Sequence, residues 1–148
     1  MKVVLILLVF LFSSSILNTF AKESVDFTNP KYQAIVLGKM IKKKVVKSDN
    51  FYLTEYKLKS QMWLYKKPEI KKSKYLKVKI LGAELEKEGL IIKTSCAPDF
   101  VPLKKEAIFF LENNKKKKKN TFTLSKGGIV YGKNIKDIVD IFEKKKEI

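Results

Sequence analysis

Apolar and polar positions alternate over most of this chain, and the period changes only towards its two ends. Leu76, Val78 and Ile80 alternate with Lys77 and Lys79, the pattern of a strand with one face buried and one in water. Ala34 to Val46 is rich in β-branched residues and contains Gly38, where an isolated glycine marks a bulge or a sharp bend. Ser48-Asp49-Asn50 is a turn signal. Phe51 to Tyr65 then reads as a long second strand. Tyr52, Tyr56, Leu58, Met62 and Leu64 share one parity while Phe51 and Leu53 take the other, which predicts a bulge near Thr54-Glu55.

Lys66 to Lys74 is a charged loop before the Leu76–Ile80 strand, and Gly82 to Gly89 is a short charged connection after it. Leu90 to Thr94 predicts a fourth strand. Ser95 to Pro102 holds two prolines and predicts a fixed, irregular loop with Phe100 tucked inward. Ala107 to Leu111 is wholly apolar, as a central strand buried on both faces must be. Asn113-Asn114 and the five lysines Lys115, Lys116, Lys117, Lys118 and Lys119 predict a solvated hairpin tip. Thr121 to Leu124 and Ile129 to Tyr131, separated by Gly127-Gly128, would pair as a closing hairpin.

At the C-terminal end the period becomes helical. Ile135, Ile138, Val139 and Phe142 form one stripe, Asn134 suits an N-cap with Asp137 three residues on, and Lys144 to Lys146 suit the negative end of the dipole. The helix, 134–148 with its basic tail, is expected to lay this stripe on the sheet, in a position to plug one end of a barrel. At the other end, Lys2, the apolar run Val3 to Phe12 and the small residues before Ala21 spell a secretory signal cleaved after Ala21. An uncleaved anchor is the alternative, although the run falls short of the ~20 apolar residues that span a bilayer. The expected organisation is signal 1–21, loose lead-in 22–31, barrel 32–133 and helix 134–148. With no lipobox cysteine after the signal, the protein is expected to be exported, periplasmic or secreted.

Several short strands of even spacing predict a mainly β protein, a small closed antiparallel barrel with a C-terminal amphipathic helix. An open sandwich is the alternative; closure is favoured because it removes exposed edges.

Composition narrows the chemistry. There is no histidine, which removes the usual general base, the Ser-His and Cys-His pairs and His-ligated zinc. Cys96 is the one cysteine, so no intramolecular disulfide forms; a loop residue without a role, an interchain partner and a reactive thiol all remain open. Every one of the 32 basic residues is lysine, and the net charge is +17. Such a field attracts polyanions and anionic membrane surfaces. Specific readers of base edges rely on arginine's fork, so no specific nucleic acid is expected.

Glu84, Glu86 and Glu88 share one side if that segment is extended and could hold a hard cation, but a solvated loop offsetting nearby lysines is the favoured reading. Ser73-Lys74 and Ser125-Lys126 are adjacent and would point to opposite strand faces, so they make poor dyads. No catalytic residue, cofactor or metal is expected. The candidate site is a basic face with aromatics: Lys57, Lys59, Trp63, Lys77 and Lys79, beside Tyr56, together with Lys115 to Lys119. The functional expectation is a non-catalytic exported module that recognises a protein or envelope component through barrel loops. The alternative is a lysine-rich binder of polyanions or membrane surfaces, driven by net positive charge.

Ile35 to Gly38, Thr54-Glu55-Tyr56, Val78 to Gly82, Pro98-Asp99-Phe100, Ile108 to Leu111 and Gly128 to Gly132 carry a resemblance. They are similar to small exported bacterial proteins with an OB-like barrel, distantly related in shape to the netrin-like module of tissue inhibitors of metalloproteinases. The resemblance spans about Tyr32 to Lys133 and implies the fold, not an activity. In those inhibitors a Cys-x-Cys pair begins the mature chain and chelates the enzyme's zinc. The expected mature start here is Lys22-Glu23-Ser24, so that mechanism is not implied.

Overall fold

A computed structural model of the chain describes residues 29–95, 97–113 and 120–147. The expected signal 1–21, most of the lead-in, Cys96 and the lysine run Lys115 to Lys119 lie outside the described residues. The elements are β1 (Tyr32–Ser48), β2 (Phe51–Lys66), β3 (Tyr75–Leu85), β4 (Leu90–Lys93), β5 (Glu106–Asn113), β6 (Thr121–Thr123), β7 (Ile129–Tyr131) and α1 (Asn134–Lys146). Among the described residues no helix is long and apolar enough to cross a membrane.

The strands close a ring of pairings. β1 lies antiparallel to β2, β2 to β3, β6 to β5, and β5 returns to β1. One join departs from the all-antiparallel expectation: β6 runs parallel to β3, with Val78 opposite Phe122. After β3 the chain makes the β4 hairpin and then β5, which lies along β1, and β6 returns to β3 travelling in the same direction. A second departure concerns the closing hairpin. β6 and β7 do not pair with each other; both lie along β5, at Glu112–Asn113 and at Ala107–Phe109. The turn at Gly128, whose amide donates to the Ser125 carbonyl at 3.0 Å and whose carbonyl accepts from Phe110 at 2.8 Å, keeps the chain running along β5 instead of folding back.

Composition along β1 follows from its neighbours. Its first half (32–39) lies between β2 and β5, and Ala34, Ile35 and Val36 are fully buried. Its second half extends beyond β5 with only β2 beside it, and there it carries Lys42, Lys43, Lys44 and Lys47. Two apolar clusters result. The inner one takes alternate residues such as Val36, Tyr56, Leu58, Val78, Phe109 and Phe122. The other takes the opposite parity of β1 and β5, Ile35, Ile108 and Phe110, and packs them against Ile138 and Phe142 of α1. The run Ala107–Leu111 is thus buried on both faces, as its composition demands. The helix covers the outside of the ring, against β2 and β7, and does not plug its end.

Four local expectations are corrected. The β1–β2 register is continuous through Thr54 and Glu55; the irregularities leave Ile41, Gln61 and Leu64 without partners. The shifts near residue 62 turn Trp63 towards the inner cluster, expose Met62 and send Leu64 under the helix. β3 continues to Leu85 because β4 supplies a partner for Gly82 to Leu85. Val101, 3% exposed, is the inward residue of the proline loop, while Phe100 is only half-buried with Lys93 Nζ 5.6 Å from its ring. Finally, Asn134 is the first helical residue and makes no side-chain cap; the Ile135 amide bonds back to the Gly132 carbonyl at 3.1 Å.

Candidate functional site

Antiparallel pairing places directly opposed residues on one face. The inner positions of β2 and β3, Thr54, Tyr56, Leu58, Leu76, Val78 and Ile80, are buried, so the residues between them form the outer face of β1–β2–β3. Register then groups that face into cross-strand rows. Lys39, Lys59 and Tyr75 form one; Lys42, Lys57 and Lys77 form the next; Lys44, Glu55 and Lys79 form a third; Val46, Leu53 and Leu81 form the last, beside the β1–β2 turn. A groove of about 610 Å³ follows this face, lined by segments 42–44, 55–57, 75–77 and 120–121.

The structure therefore brings Lys57, Lys59, Lys77 and Lys79 together as expected, and separates Trp63 from them. Trp63 is partly buried against the inner cluster, on the other face from these lysines, and Tyr56, 1% exposed, offers no stacking surface. The exposed ring beside these lysines is Tyr75, 40% exposed, with Lys57 Nζ 4.3 Å and Lys74 Nζ 5.6 Å from its centroid. Lys42, Lys44, Glu55 and Tyr75 escaped sequence reasoning. The triplet Lys42 to Lys44 was visible, but only register places two of its members opposite Lys57 and Glu55. Of Lys115 to Lys119 nothing is described, although Asn120, the next residue, lines the groove.

Electrostatics at the face are one-sided. Glu55, with a side chain 12% exposed, lies 3.2 Å from Lys44, 3.5 Å from Lys79 and 3.9 Å from Lys77. Burial pushes its carboxyl up, but the pairing with Lys44 and the charges of Lys77 and Lys79 outweigh that and hold it below 4.5. A carboxyl lowered in the fold adds stability that is present above its ordinary value and is lost as pH falls through the lowered one. Thermal melts of wild type should therefore decline more steeply below pH 4.5 than those of Glu55→Gln; parallel declines would show that Glu55 is not held by these lysines.

Lys42 and Lys57 make no ion pair among the described residues, and they stand in the same row as Lys77. Like charges directly opposed across strands destabilise a sheet by roughly 0.2–1 kcal/mol per pair. The fold tolerates that cost on this face.

A smaller cavity of about 380 Å³ shares the Lys43–Lys44–Tyr56 wall and reaches Glu84 and the 3-10 turn Glu86–Glu88. Lys43 pairs with Glu84 there at 3.6 Å. The Tyr56 hydroxyl is buried and, among the described residues, makes no hydrogen bond; the Val101 backbone lies beside it out of bonding geometry, and burial pushes its pKa up. Ser73, half of one sequence-adjacent Ser-Lys pair, donates its hydroxyl to the Tyr75 carbonyl at 2.9 Å, a turn contact.

Compared with known protein families and with curated proteins, the chain matches none.

Proposed function

We propose that this protein is a non-catalytic exported binding module, built on an OB-like barrel, that holds an anionic ligand across the outer face of β1–β2–β3. The ring order β1–β2–β3–β6–β5, with its single parallel join, supports the OB-like reading and the resemblance to small exported barrel proteins. The absence of histidine and the turn role of Ser73 support a binding role over catalysis. The ligand belongs to the envelope and is met on the strand face, not through the loops as the sequence suggested.

One observation carries this reading: the row Lys42–Lys57–Lys77, opposed like charges bordering a groove. An anion laid on that row converts mutual repulsion into attraction at three positions together. A charge-driven complex weakens linearly in log affinity against log salt, with a slope of about one per lysine engaged.

The test is titration with a heparin oligosaccharide over a series of salt concentrations. Lys57→Gln/Lys77→Gln should weaken binding and lower the slope by about two, whereas Lys144→Gln/Lys145→Gln should leave it nearly unchanged. The first pair should melt close to wild type, because relieved repulsion offsets the lost Lys77–Glu55 and Lys57–Tyr75 contacts. Equal losses in both double variants would mean that net charge, and no particular face, binds the anion.

A further inference from the structure

The outer face is graded as well as basic. Its last row, Val46–Leu53–Leu81, is apolar, and Leu81 is 48% exposed; Phe51, which begins β2 beside it, is 49% exposed. Leu81 and Phe51 sit in water next to the lysine rows, with Val46 and Leu53 half-buried beside them, and none of the four belongs to either apolar cluster. A soluble polyanion would satisfy the lysines and leave this row uncovered.

We infer that the anionic partner is a phospholipid bilayer surface, met obliquely with the apolar row deepest. This rests on the anion-binding reading above and names its ligand. A bilayer is the anionic partner whose charged plane lies directly over an apolar interior. Strand geometry sets the spacing: adjacent rows are two residues apart, or about 7 Å. With Lys44 and Lys79 at the level of the lipid phosphates, Leu53 and Leu81 fall about 7 Å deeper, within the 5–10 Å that interfacial apolar groups reach. The row Lys42–Lys57–Lys77 then faces headgroups further out. Two carboxylates lie at this edge, Asp49 in the turn and Glu55, which pairs with Lys44 and Lys79 in their own row; Lys44, Lys47 and Lys79 outnumber them.

The C-terminal helix does not supply the contact. Its apolar stripe is occupied, with Ile138 and Phe142 packed on Tyr32, Ile35 and Phe110. The membrane contact is thereby assigned to strands, at positions that no amphipathic-helix pattern would reveal.

Vesicle flotation tests this, using phosphatidylcholine alone and phosphatidylcholine with one-third phosphatidylglycerol by composition. Wild type should float with the anionic vesicles and not with the neutral ones. Phe51→Ser/Leu81→Ser exchanges two exposed side chains and should retain the wild-type melt. It should lose about tenfold or more in vesicle affinity while binding the heparin oligosaccharide as wild type does. If that variant floats like wild type, or if wild type binds the oligosaccharide but no vesicle, the bilayer assignment is overturned and the anion-binding face stands. If wild type binds neither, the functional reading itself falls.

Discussion

Phe142→Ala should cost about 3–5 kcal/mol in a denaturant melt, the range for truncating a buried aromatic ring. The ring is 8% exposed and closes the cluster formed by Tyr32, Ile35, Leu64, Ile108, Phe110 and Ile138. Its loss leaves a cavity between α1 and the outside of the ring, and loosening the helix then uncovers Ile35, Ile108 and Phe110. Since domains of this size are stable by only about 5–15 kcal/mol, much of the margin would go. Ile141, at the edge of the buried stripe and 40% exposed, is the control: Ile141→Ala should change stability by less than about 0.5 kcal/mol. Equal small effects at both positions would mean that the helix floats free and that its stripe is available for other contacts.

Gly38→Ala should also be costly, about 3 kcal/mol, the upper end of the usual cost of overpacking. Backbone angle is not the reason, because Gly38 does not adopt a positive φ. Space is. A Cβ there would run into the Lys59 carbonyl oxygen and press the Leu58 side chain at 3.1 Å. β1 cannot retreat, since Gly38 lies between Ser60 of β2 and Ala107 of β5. Gly89 makes the contrast: its φ is +61°, but nothing lies within 4 Å of an added Cβ, so Gly89→Ala carries only the left-handed penalty of about 1–2 kcal/mol. If the two variants melted together, close strand approach at Gly38 would not be limiting.

What could be read in the sequence was local. The alternation of Leu76, Val78 and Ile80 with Lys77 and Lys79 fixes which face of β3 is buried, and the unbroken run Ala107–Leu111 requires cover on both sides. The stripe from Ile135 to Phe142 gives a helix with one apolar side. Pairing is not local, and there the reading lost its hold. Nothing near Thr121 says that it will lie parallel to Lys77, and nothing near Lys42 says that it will face Lys57. A single unpaired residue reverses every later side chain on its strand. The shift at Gln61 therefore turned Trp63 towards the inner cluster, where it is partly buried, and away from the lysine face. The lysines of the face were visible individually; their assembly into rows required the register.

The central claim is that the outer face of β1–β2–β3 is where this protein holds its anionic ligand. Mapping backbone amide shifts during titration with the heparin oligosaccharide tests it most directly. The account predicts perturbations concentrated at residues 42–44, 55–59 and 75–79, fading at high salt. Perturbations confined to the 94–105 loop or to Lys144–Lys146, with the strand face unmoved, would contradict it.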